Sequence, residues 1–548
     1  MATMKLRFDD SLEYQHDAIN AVCDVYEGLP TGNPVFSISY NTGLGFKVSE
    51  LGIANPDLPQ DEMILGNVQR VQERNGITKI SALPLREFAI EMETGTGKTY
   101  VYLRTAFELN KRYGFRKFVI VVPSIAIREG VLHSIETMRD HFRTLFGTPF
   151  DAFVYDGKQS NQLRGFAMAN AMQIMVINIQ AFQRDFKDEA GPRRGGGNVI
   201  YREQDRLNGW RPIDFLQQTR PFVIVDEPQK VQGTASHVAL TRLNPCSLVQ
   251  YSATFDSPTK LYRLGPIEAH QQRLVKQIEV ASVLEQLDGN NAYVRLLKVD
   301  IAKQRVQLEI NIGQGDAVAR KPVWVKQRSD LYELSKHRLE YQDRWVVDDL
   351  SFDPVDGYVD FDNGQAVTLG ASTGGLDDEV MRAQVHETVR EHLEKELRLT
   401  SQGIKVLSLF FIDRVANYRQ YGEDGAESLG KIGQWFEESY RELTSKGRFA
   451  SLGVDDVGAI HDGYFSVDKK GRVKDTTGKT ADDESTYDRI MRNKERLLSF
   501  SDPLRFIFSH SALREGWDNP NVFQICTLKE TKSIDNKRQE LGRGLRLP

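Results

Sequence analysis

One short stretch of the sequence limits the possible fold more than any other. Residues 91–99 read EMETGTGKT and overlap the end of an apolar run, Phe88–Met92. Glycines at positions 95 and 97 allow successive backbone N–H groups to turn inward, as they do around phosphate groups at the start of a helix. An apolar strand, a glycine-rich turn and a helix in this order are typical of a parallel α/β sheet.

The apolar runs predict two such sheets. The first series lies at Phe88–Met92, Phe118–Val122, Ile174–Ile177, Phe222–Val225 and Ser247–Tyr251. The second series lies at Lys405–Phe411, Gly458–His461, Arg505–Phe508 and Phe523–Thr527. Because these runs are apolar on both faces, we expect helices to cover each sheet on both sides. The predicted fold class is therefore α/β, with two parallel-sheet domains.

Between the two series the pattern changes to an alternation of apolar and polar residues, as in Arg305–Ile312. Such alternation predicts half-buried strands and hence a β-rich insert. We accordingly predict three parts. Residues 1–260 form an N-terminal domain with the glycine-rich loop, residues 261–376 form the insert and linker, and residues 377–548 form a C-terminal domain.

The glycine-rich loop has the residue types that bind a nucleotide. We expect its backbone to surround the β- and γ-phosphates, Lys98 to add a positive charge, and the Thr99 hydroxyl to ligate Mg²⁺. The match is incomplete, because the usual pattern has glycine where this chain has Met92. The residues expected to bind ATP here are Thr94, Gly95, Thr96, Gly97, Lys98 and Thr99.

Two adjacent acids end another apolar run, where Phe222–Val225 leads into Asp226-Glu227-Pro228-Gln229. We expect Asp226 to hold Mg²⁺ through water, and Glu227 to deprotonate the water that attacks the γ-phosphate. Acids also end ordinary strands in solvent. The assignment therefore depends on the glycine-rich loop being present as well.

Two arginines lie three residues apart in the stretch QELGRGLR at 539–546. On a helix that begins near Asp535, Arg543 and Arg546 share one face. Guanidinium groups placed in this way suit contact with a γ-phosphate, where they stabilise the charge of the transition state. A solvated basic helix is the alternative interpretation of the same pair.

In chain order, these motifs resemble those of superfamily 2 helicases and translocases. The matching segments are Gln15, METGTGKT at 92–99, VVPSIAIREGV at 121–131, residues 178–180, DEPQ at 226–229, SAT at 252–254, residues 405–414, EGWDNP at 515–520 and QELGRGLR at 539–546. The resemblance implies two RecA-like domains with ATP in the cleft between them. It also implies that Gln15 reads the adenine, that Asp518 lies near the ribose and that Gln539 belongs to the nucleotide site.

More narrowly, the stretches EMETGTGKT, DEPQ, REGWDNPNVFQICTL and QELGRGLRLP resemble the Res subunit of type III restriction-modification enzymes. That resemblance implies an ATP-dependent translocase or helicase motor on double-stranded DNA, with a methyltransferase (Mod) subunit as its partner. Full-length members of that family are site-specific deoxyribonucleases. Two other functions stay open from the sequence: a stand-alone superfamily 2 DNA or RNA helicase, and an ATP-dependent conformational switch.

Polar residues that follow two of the predicted strands are the expected DNA contacts. Ser124 and Arg128 follow Phe118–Val122, and Asn178 and Gln180 follow the next run. Ligands of open α/β sheets gather at the carboxyl ends of the strands. Contacts to DNA phosphates there position the DNA without reading its sequence. Because the net charge of the chain is −5, such contacts must come from local basic groups.

The sequence offers no support for a zinc enzyme or a membrane protein. Its three cysteines lie far apart without a CxxC pair, and no HExxH motif is present. No apolar run approaches the roughly 20 residues that cross a bilayer. We therefore expect a cytoplasmic protein that does not contact a membrane.

A nuclease centre of the type III kind needs PD followed by a D/ExK group at one metal site. The sequence contains no convincing copy, and Glu394-Lys395-Glu396 lies in what is expected to be a solvated helix. The family resemblance places the nuclease after the motor. We therefore expect that the residues up to Pro548 do not cut DNA, and that the C-terminal domain is incomplete at this point.

Overall fold

The computed structural model describes most of the chain. The described residues are 8–29, 32, 34–41, 47–83, 85–159, 161–183, 198–231, 233–254, 257–280, 292–314, 317–353, 357–370, 372–373, 377–421, 427–467, 473–474, 496–510, 519–528, 542 and 544–546. The chain divides into two compact units. One is formed by Met1–Glu279 together with Arg390–Pro548, and the other by Val280–Val389.

The first part of the larger unit contains a seven-stranded sheet with the order β5-β6-β4-β7-β8-β3-β9. The strands up to residue 279 are β1 (Val35–Asn41), β2 (Lys47–Ile53), β3 (Glu87–Met92), β4 (Lys117–Val122), β5 (Phe150–Val154), β6 (Met172–Asn178), β7 (Phe222–Asp226), β8 (Ser247–Ser252) and β9 (Lys260–Leu264). The helices are α1 (Glu13–Cys23), α2 (Asp61–Arg74), α3 (Lys98–Tyr113), α4 (Ile125–Phe146), α5 (Asn161–Met168), α6 (Pro212–Gln218), α7 (Thr234–Arg242) and α8 (Pro266–Gln271). All neighbouring pairs in the seven-stranded sheet are parallel, as predicted.

Helices cover this sheet on both faces. In β4 every residue is buried, and the side chains alternate between two apolar clusters. Ile120 belongs to the cluster that contains Phe107 of α3, whereas Val119 belongs to the opposite cluster with Leu216 of α6. This burial explains why the central strands read as continuous apolar runs.

The first sheet extends beyond the predicted boundary at residue 260. Strand β9 pairs in parallel with β3, and the Leu264 carbonyl accepts a hydrogen bond of 2.9 Å from Glu93 N at the entrance of the glycine-rich loop. The strand was missed as a sheet member because its pattern, KLYRL, is half polar at an edge position. The second unit accordingly begins at Val280 and ends at Val389, and not at 261 and 376.

The second part of the larger unit contains a smaller sheet with the order β20-β23-β17-β24. The elements from residue 377 onward are α10 (Asp377–Leu399), β17 (Leu407–Ile412), β18 (Arg419–Tyr421), β19 (Glu427–Leu429), α11 (Lys431–Ser445), β20 (His461–Tyr464), β21 (Ser466–Val467), β22 (Val473–Lys474), β23 (Phe506–Ser509) and β24 (Val522–Leu528). All pairs in the four-stranded sheet are parallel. The predicted α/β class with two parallel sheets is thereby confirmed.

One expectation about α10 is wrong. Glu396 is buried and not solvated, and Arg505 Nη1 donates to its two carboxylate oxygens at 2.8 and 2.9 Å. His392, one turn earlier, is fully buried and lies 3.4 Å from the same carboxylate. Within this part of the chain, the run predicted at Gly458–His461 also forms a strand only from His461 onward.

The smaller unit is rich in antiparallel strands, as the alternating pattern predicts. Its elements are β10 (Val294–Asp300), β11 (Arg305–Gln314), β12 (Ala317–Val325), α9 (Leu331–Leu334), β13 (Val347–Leu350), β14 (Tyr358–Phe361), β15 (Ala366–Thr368) and β16 (Ser372–Thr373). They form sheets with the orders β12-β11-β10-β16 and β13-β14-β15. Trp345 packs between Tyr341 and Phe361 in the core. Among the described residues of the chain, no helix is long and apolar enough to cross a membrane.

Candidate nucleotide site

The glycine-rich loop connects β3 to α3 in the way that the motif requires. Gly95 and Gly97 have φ angles of 87° and 88°, a backbone conformation that residues with a Cβ rarely adopt. Gly97 is the residue that precedes the first turn of α3. The departure at Met92 has a structural reason, because Met92 ends β3 with its side chain fully buried in the core. The loop therefore starts one residue after the apolar anchor.

Hydrogen bonds within the loop hold it in a tight turn. The Glu93 carbonyl accepts from Thr96 Oγ1 at 2.7 Å and from Thr96 N at 3.3 Å. The Glu93 carboxylate accepts from Thr94 N at 2.7 Å. A carboxylate oxygen thus accepts from one of the loop N–H groups in this structure.

Gln15 of α1 lies against the same loop. Its side-chain nitrogen donates to the Thr96 carbonyl at 3.3 Å, and Tyr14 OH donates to that carbonyl at 3.0 Å. Gln15 is 5% exposed, yet its Oε1 has no hydrogen-bond partner within the described part of the chain. A buried amide oxygen without a donor is costly. An adenine amino group is a donor of the kind that this oxygen lacks.

Asp226, the last residue of β7, and Glu227, which follows it, face the loop from the neighbouring part of the sheet. Lys98 Nζ lies 3.0 Å from Glu227 Oε1, and Gln229 Nε2 donates to Glu227 Oε2 at 2.5 Å. Ser252 Oγ, at the end of β8, donates to Gln229 Oε1 at 3.0 Å. Hydrogen bonds therefore connect four side chains in a continuous series, which we call the Glu227 hydrogen-bond chain: Lys98, Glu227, Gln229 and Ser252. It joins the phosphate loop to the SAT segment.

The predicted Mg²⁺ ligands, Thr99 and Asp226, are connected through Tyr102. Tyr102 OH donates to Asp226 Oδ2 at 3.4 Å and contacts the Thr99 side chain. Burial raises the pKa of Asp226 well above its ordinary value, and the Glu227 carboxylate adds to this effect. A buried carboxylate beside a hydroxyl provides the oxygen ligands that Mg²⁺ prefers. The donor set therefore fits this cation, which would also restore the ionised form of Asp226.

Burial alone would lower the pKa of Lys98, but the carboxylates of Glu227 and Asp226 outweigh it, so the pKa is raised. Lys98 is 12% exposed and stays a cation. It consequently carries a permanent positive charge at the start of α3. A phosphate that approaches the loop meets this charge together with the partial positive charge of the helix terminus.

Gly542, Leu545 and Arg546 lie against the phosphate loop. A Cβ at Gly95 would lie 3.3 Å from Arg546 N, and a Cβ at Gly542 would lie 2.9 Å from Thr94 Cγ2. Arg546 does not lie on a helix face as predicted. It forms an antiparallel bridge with Val275, because the chain extends after the glycines of this segment. Three other predicted site residues, Arg543, Asp518 and Gln539, lie outside the described residues.

The predicted DNA contacts follow β4 and β6 as expected, and several have structural partners. Ser124 Oγ caps α4 by accepting from Ile127 N at 3.3 Å. Gln180 Nε2 donates to the Pro123 carbonyl at 2.9 Å, which ties the two loops together. Arg128 lies 2.8 Å from Glu129 Oε1. Its side chain lines a cleft of about 470 Å³ that also contains Tyr155 and Asn198.

Asn178 ends β6 at the same edge of the sheet. Its side-chain oxygen has no hydrogen-bond partner among the described residues. Of the four predicted DNA contacts, Arg128 is the one that brings a positive charge to this cleft. Sequence reasoning did not find Tyr102, Tyr14 or the role of Gln229. The spacing of Tyr102, three residues after Thr99 on one helix, could have indicated the first of these.

Comparisons with known proteins find similar chains. Residues 10–257 match the family model described as "Type III restriction enzyme, res subunit". The chain is 31% identical to the type III restriction-modification enzyme EcoPI Res subunit of Escherichia phage P1, over 99% of this chain and 55% of that protein. It is 29% identical to the EcoP15I Res subunit of Escherichia coli, over 98% of this chain and 55% of that protein.

A solved structure titled ATP-dependent Type ISP restriction-modification enzyme LlaBIII bound to DNA is also similar, with a TM-score of 0.40 and 12% identity. The similarity covers 91% of this chain and 27% of that one. The chain spans about half the length of the curated relatives it matches.

The two parallel sheets and the match of residues 10–257 to the Res-subunit family model define the class to which this chain is similar: α/β chains of the type III restriction enzyme Res type. Within that class it is a Res-like chain, similar over nearly its whole length to Res subunits of type III restriction-modification enzymes. The predicted resemblance is thereby confirmed.

Proposed function

We propose that this chain is the ATP-driven motor of a type III restriction enzyme, which hydrolyses ATP to move on, or switch state on, double-stranded DNA. The observation that carries the proposal is convergence at one loop. Gln15, the pair Asp226 and Glu227, and the segment at 542–546 come from distant parts of the chain and all meet residues 94–99. This arrangement suits adenine, phosphates and a metal ion at once.

The residues of the site have distinct tasks in the proposed reaction. Lys98 and the loop N–H groups bind the phosphates, and Thr99 and Asp226 hold the metal ion. Mg²⁺, when bound, neutralises charge on the β- and γ-phosphates. In this structure Lys98 Nζ is paired with Glu227 Oε1 at 3.0 Å. This ion pair must break before Lys98 can bind a phosphate. Glu227 is then available as the base that removes a proton from the attacking water.

Gln229 keeps Glu227 oriented throughout, since it donates to the other carboxylate oxygen. Ser252 holds Gln229 in turn. The Glu227 hydrogen-bond chain therefore provides a route by which binding or hydrolysis at the phosphates can change the position of the SAT segment. Arg546, which lies over the loop, and Arg543 are the proposed groups that stabilise charge in the transition state.

The proposed partners come from the relatives and from the cleft at Arg128. The relatives are named as subunits of type III restriction-modification enzymes, so we propose double-stranded DNA and a methyltransferase (Mod) subunit as partners, in the cytoplasm. Asn178 ends β6, and Arg128 lies in the first turn of α4, which follows β4; ligands of open sheets bind at this edge. Contacts to phosphates by such groups make binding weak in sequence preference and strongly dependent on salt.

Stimulated ATP hydrolysis tests the proposal. The natural, complete protein should release phosphate from ATP in the presence of Mg²⁺, and duplex DNA should increase the rate. Lys98→Ala should abolish this activity and weaken ATP binding, because it removes the fixed charge of the loop. Lys303→Ala, at an exposed residue outside the site, is the matched control and should behave as the wild type.

The outcomes separate the possible functions. Hydrolysis that is indifferent to any nucleic acid would point to a nucleotide-dependent switch. Hydrolysis that responds to DNA or RNA, but not to a methyltransferase partner on its recognition site, would point to a stand-alone helicase. Activity of Lys98→Ala equal to that of the wild type would refute the nucleotide site itself.

A further inference from the structure

Lys276 connects the nucleotide site to the second sheet through two independent sets of contacts. The residue follows α8, on the segment that leaves the first sheet. Its backbone N–H donates to the Leu545 carbonyl at 2.9 Å, and the preceding residue, Val275, is paired with Arg546. The backbone at 275–276 thus fixes the part of the chain that lies over the phosphate loop.

The side chain of Lys276 reaches in another direction. Its ammonium group donates to the carbonyl of Val522 at 2.8 Å and to the carbonyl of Pro520. It also lies 4.1 Å from the centre of the Phe523 ring. Two carbonyl acceptors and an aromatic face hold one cation, and hydrogen bonds from a charged donor are stronger than neutral ones.

The acceptors of this ammonium group belong to a fixed turn. Asn519, which precedes Pro520, is fully buried, and its side chain accepts from Asn521 N at 2.9 Å. The Asn521 carbonyl accepts from Leu407 N of β17 at 2.8 Å. The turn is therefore part of the second sheet, and the ammonium group binds to that sheet and not to a loose loop.

The two sets of Lys276 contacts reach segments at the start of β24 and after its end. The turn at 519–522 begins β24, and the segment at 542–546 follows β24 in the sequence. Lys276 therefore holds both ends of the stretch between them, one through its side chain and the other through its backbone. The end held by the backbone lies so close to Gly95 that a Cβ there would be 3.3 Å from Arg546 N.

We propose that Lys276 is a positioning residue for ATP hydrolysis, which fixes the second sheet relative to the segment carrying Arg546 and thereby holds that arginine over the phosphate loop. This inference rests on the proposed function. Lys276 touches neither the loop nor the predicted metal ligands in its described contacts, so it acts through Arg546 and not on the nucleotide directly.

Three variants test the role. Lys276→Met keeps the length of the side chain but removes the cation and both hydrogen bonds, and it should lower kcat for ATP hydrolysis at least tenfold while changing the affinity for ATP less than threefold. Lys276→Arg keeps a charged donor and should recover most of the rate. Lys303→Met, at an exposed lysine in the turn between β10 and β11, is the control.

A double-variant cycle distinguishes positioning from a general loss of structure. In an Arg546→Ala background, Lys276→Met should have little further effect on kcat, because the group that it positions is already absent. Equal tenfold losses in both backgrounds would overturn the proposal, and so would a fall in ATP affinity that accounts for the whole effect. Thermal melting of each variant shows whether it is folded. If the wild-type protein itself does not hydrolyse ATP, the proposed function fails. If it does and Lys276→Met is as active, only the role of Lys276 fails.

Discussion

Replacing Glu227 by glutamine should change ATP binding and ATP hydrolysis in opposite directions. In this structure one carboxylate oxygen of Glu227 lies 3.0 Å from Lys98 Nζ and the other accepts from Gln229. Gln229 can turn its amide to suit the new side chain, because the Ser252 hydroxyl can either donate or accept. What is lost is the negative charge opposite Lys98, because the amide oxygen can still accept from Nζ. Hydrogen bonds to charged groups contribute about 1.5–3 kcal/mol, against about 0.5–1.5 kcal/mol for neutral ones.

The interaction between Lys98 and Glu227 must break before Lys98 can bind a phosphate. Weakening it by about 1–1.5 kcal/mol should strengthen ATP binding by roughly tenfold, since about 1.4 kcal/mol corresponds to a factor of ten. Hydrolysis should fall by about 10²- to 10⁴-fold, because an amide cannot act as the general base. Binding can be measured with a fluorescent ATP analogue, and hydrolysis by phosphate release under saturating ATP.

The control for Glu227→Gln is Glu50→Gln. Glu50 is also a partly exposed carboxylate in an ion pair, with Arg164, but it lies on β2, away from the phosphate loop. This variant should change neither binding nor hydrolysis. If Glu227→Gln lowered ATP affinity and hydrolysis in parallel, or hydrolysed ATP at the wild-type rate, then Glu227 would not be the base.

Two further variants test other parts of the structure. Gly97→Ala should abolish ATP binding, because its Cβ would lie 2.8 Å from Gln15 Nε2 at a φ of 88°. Titration with the same ATP analogue checks this. The control is Gly209→Ala, at a positive φ in open space, which should bind ATP normally. Glu396→Gln should lower the free energy of unfolding by about 3 kcal/mol, because it leaves the Arg505 cation without its buried partner. Burial alone would raise the pKa of Glu396, but His392 and Arg505 outweigh it, so the pKa is lowered below 4.5. The stabilisation by the Glu396–Arg505 pair is therefore fully present above pH 4.5. It is lost as the pH falls through the lowered pKa. The difference in melting temperature between wild type and this variant should therefore shrink in acid, and a difference that grew in acid would contradict this assignment.

The sequence predicts the central strands well because they are buried on both faces and their apolar runs are unbroken, as in β4 and β7. It predicts the phosphate loop because glycines at 95 and 97 are needed for backbone geometry, and a local requirement leaves a local signal. The two edges of the first sheet carry less information. Strand β9 carries Lys260 and Arg263 at the edge of the sheet, so no unbroken apolar run marks it.

The contacts that complete the site leave no local pattern. The Lys98–Glu227 pair joins residues whose separate motifs could be read, but the Tyr102 contact to Asp226 and the Lys276 contacts to the turn at 519–522 depend on tertiary packing. Glu396 illustrates the opposite error. A Glu-Lys-Glu stretch on a helix reads as a solvated face, and only the position of Arg505 on the neighbouring sheet reveals that one acid is buried.

The cover over the phosphate loop also has a consequence for how the chain is made. Protein synthesis proceeds from the N-terminus, and domains fold as units in that order. The first sheet is complete once β9 at Lys260–Leu264 has left the ribosome, whereas the residues at 542–546 that lie over Gly95 emerge much later. A nascent chain therefore has a formed loop with Lys98 and Glu227 in place before Arg546 can reach it. Under the proposed function, such an intermediate would bind ATP without the arginine that assists its hydrolysis, so the order of synthesis itself would delay turnover until the second sheet has folded.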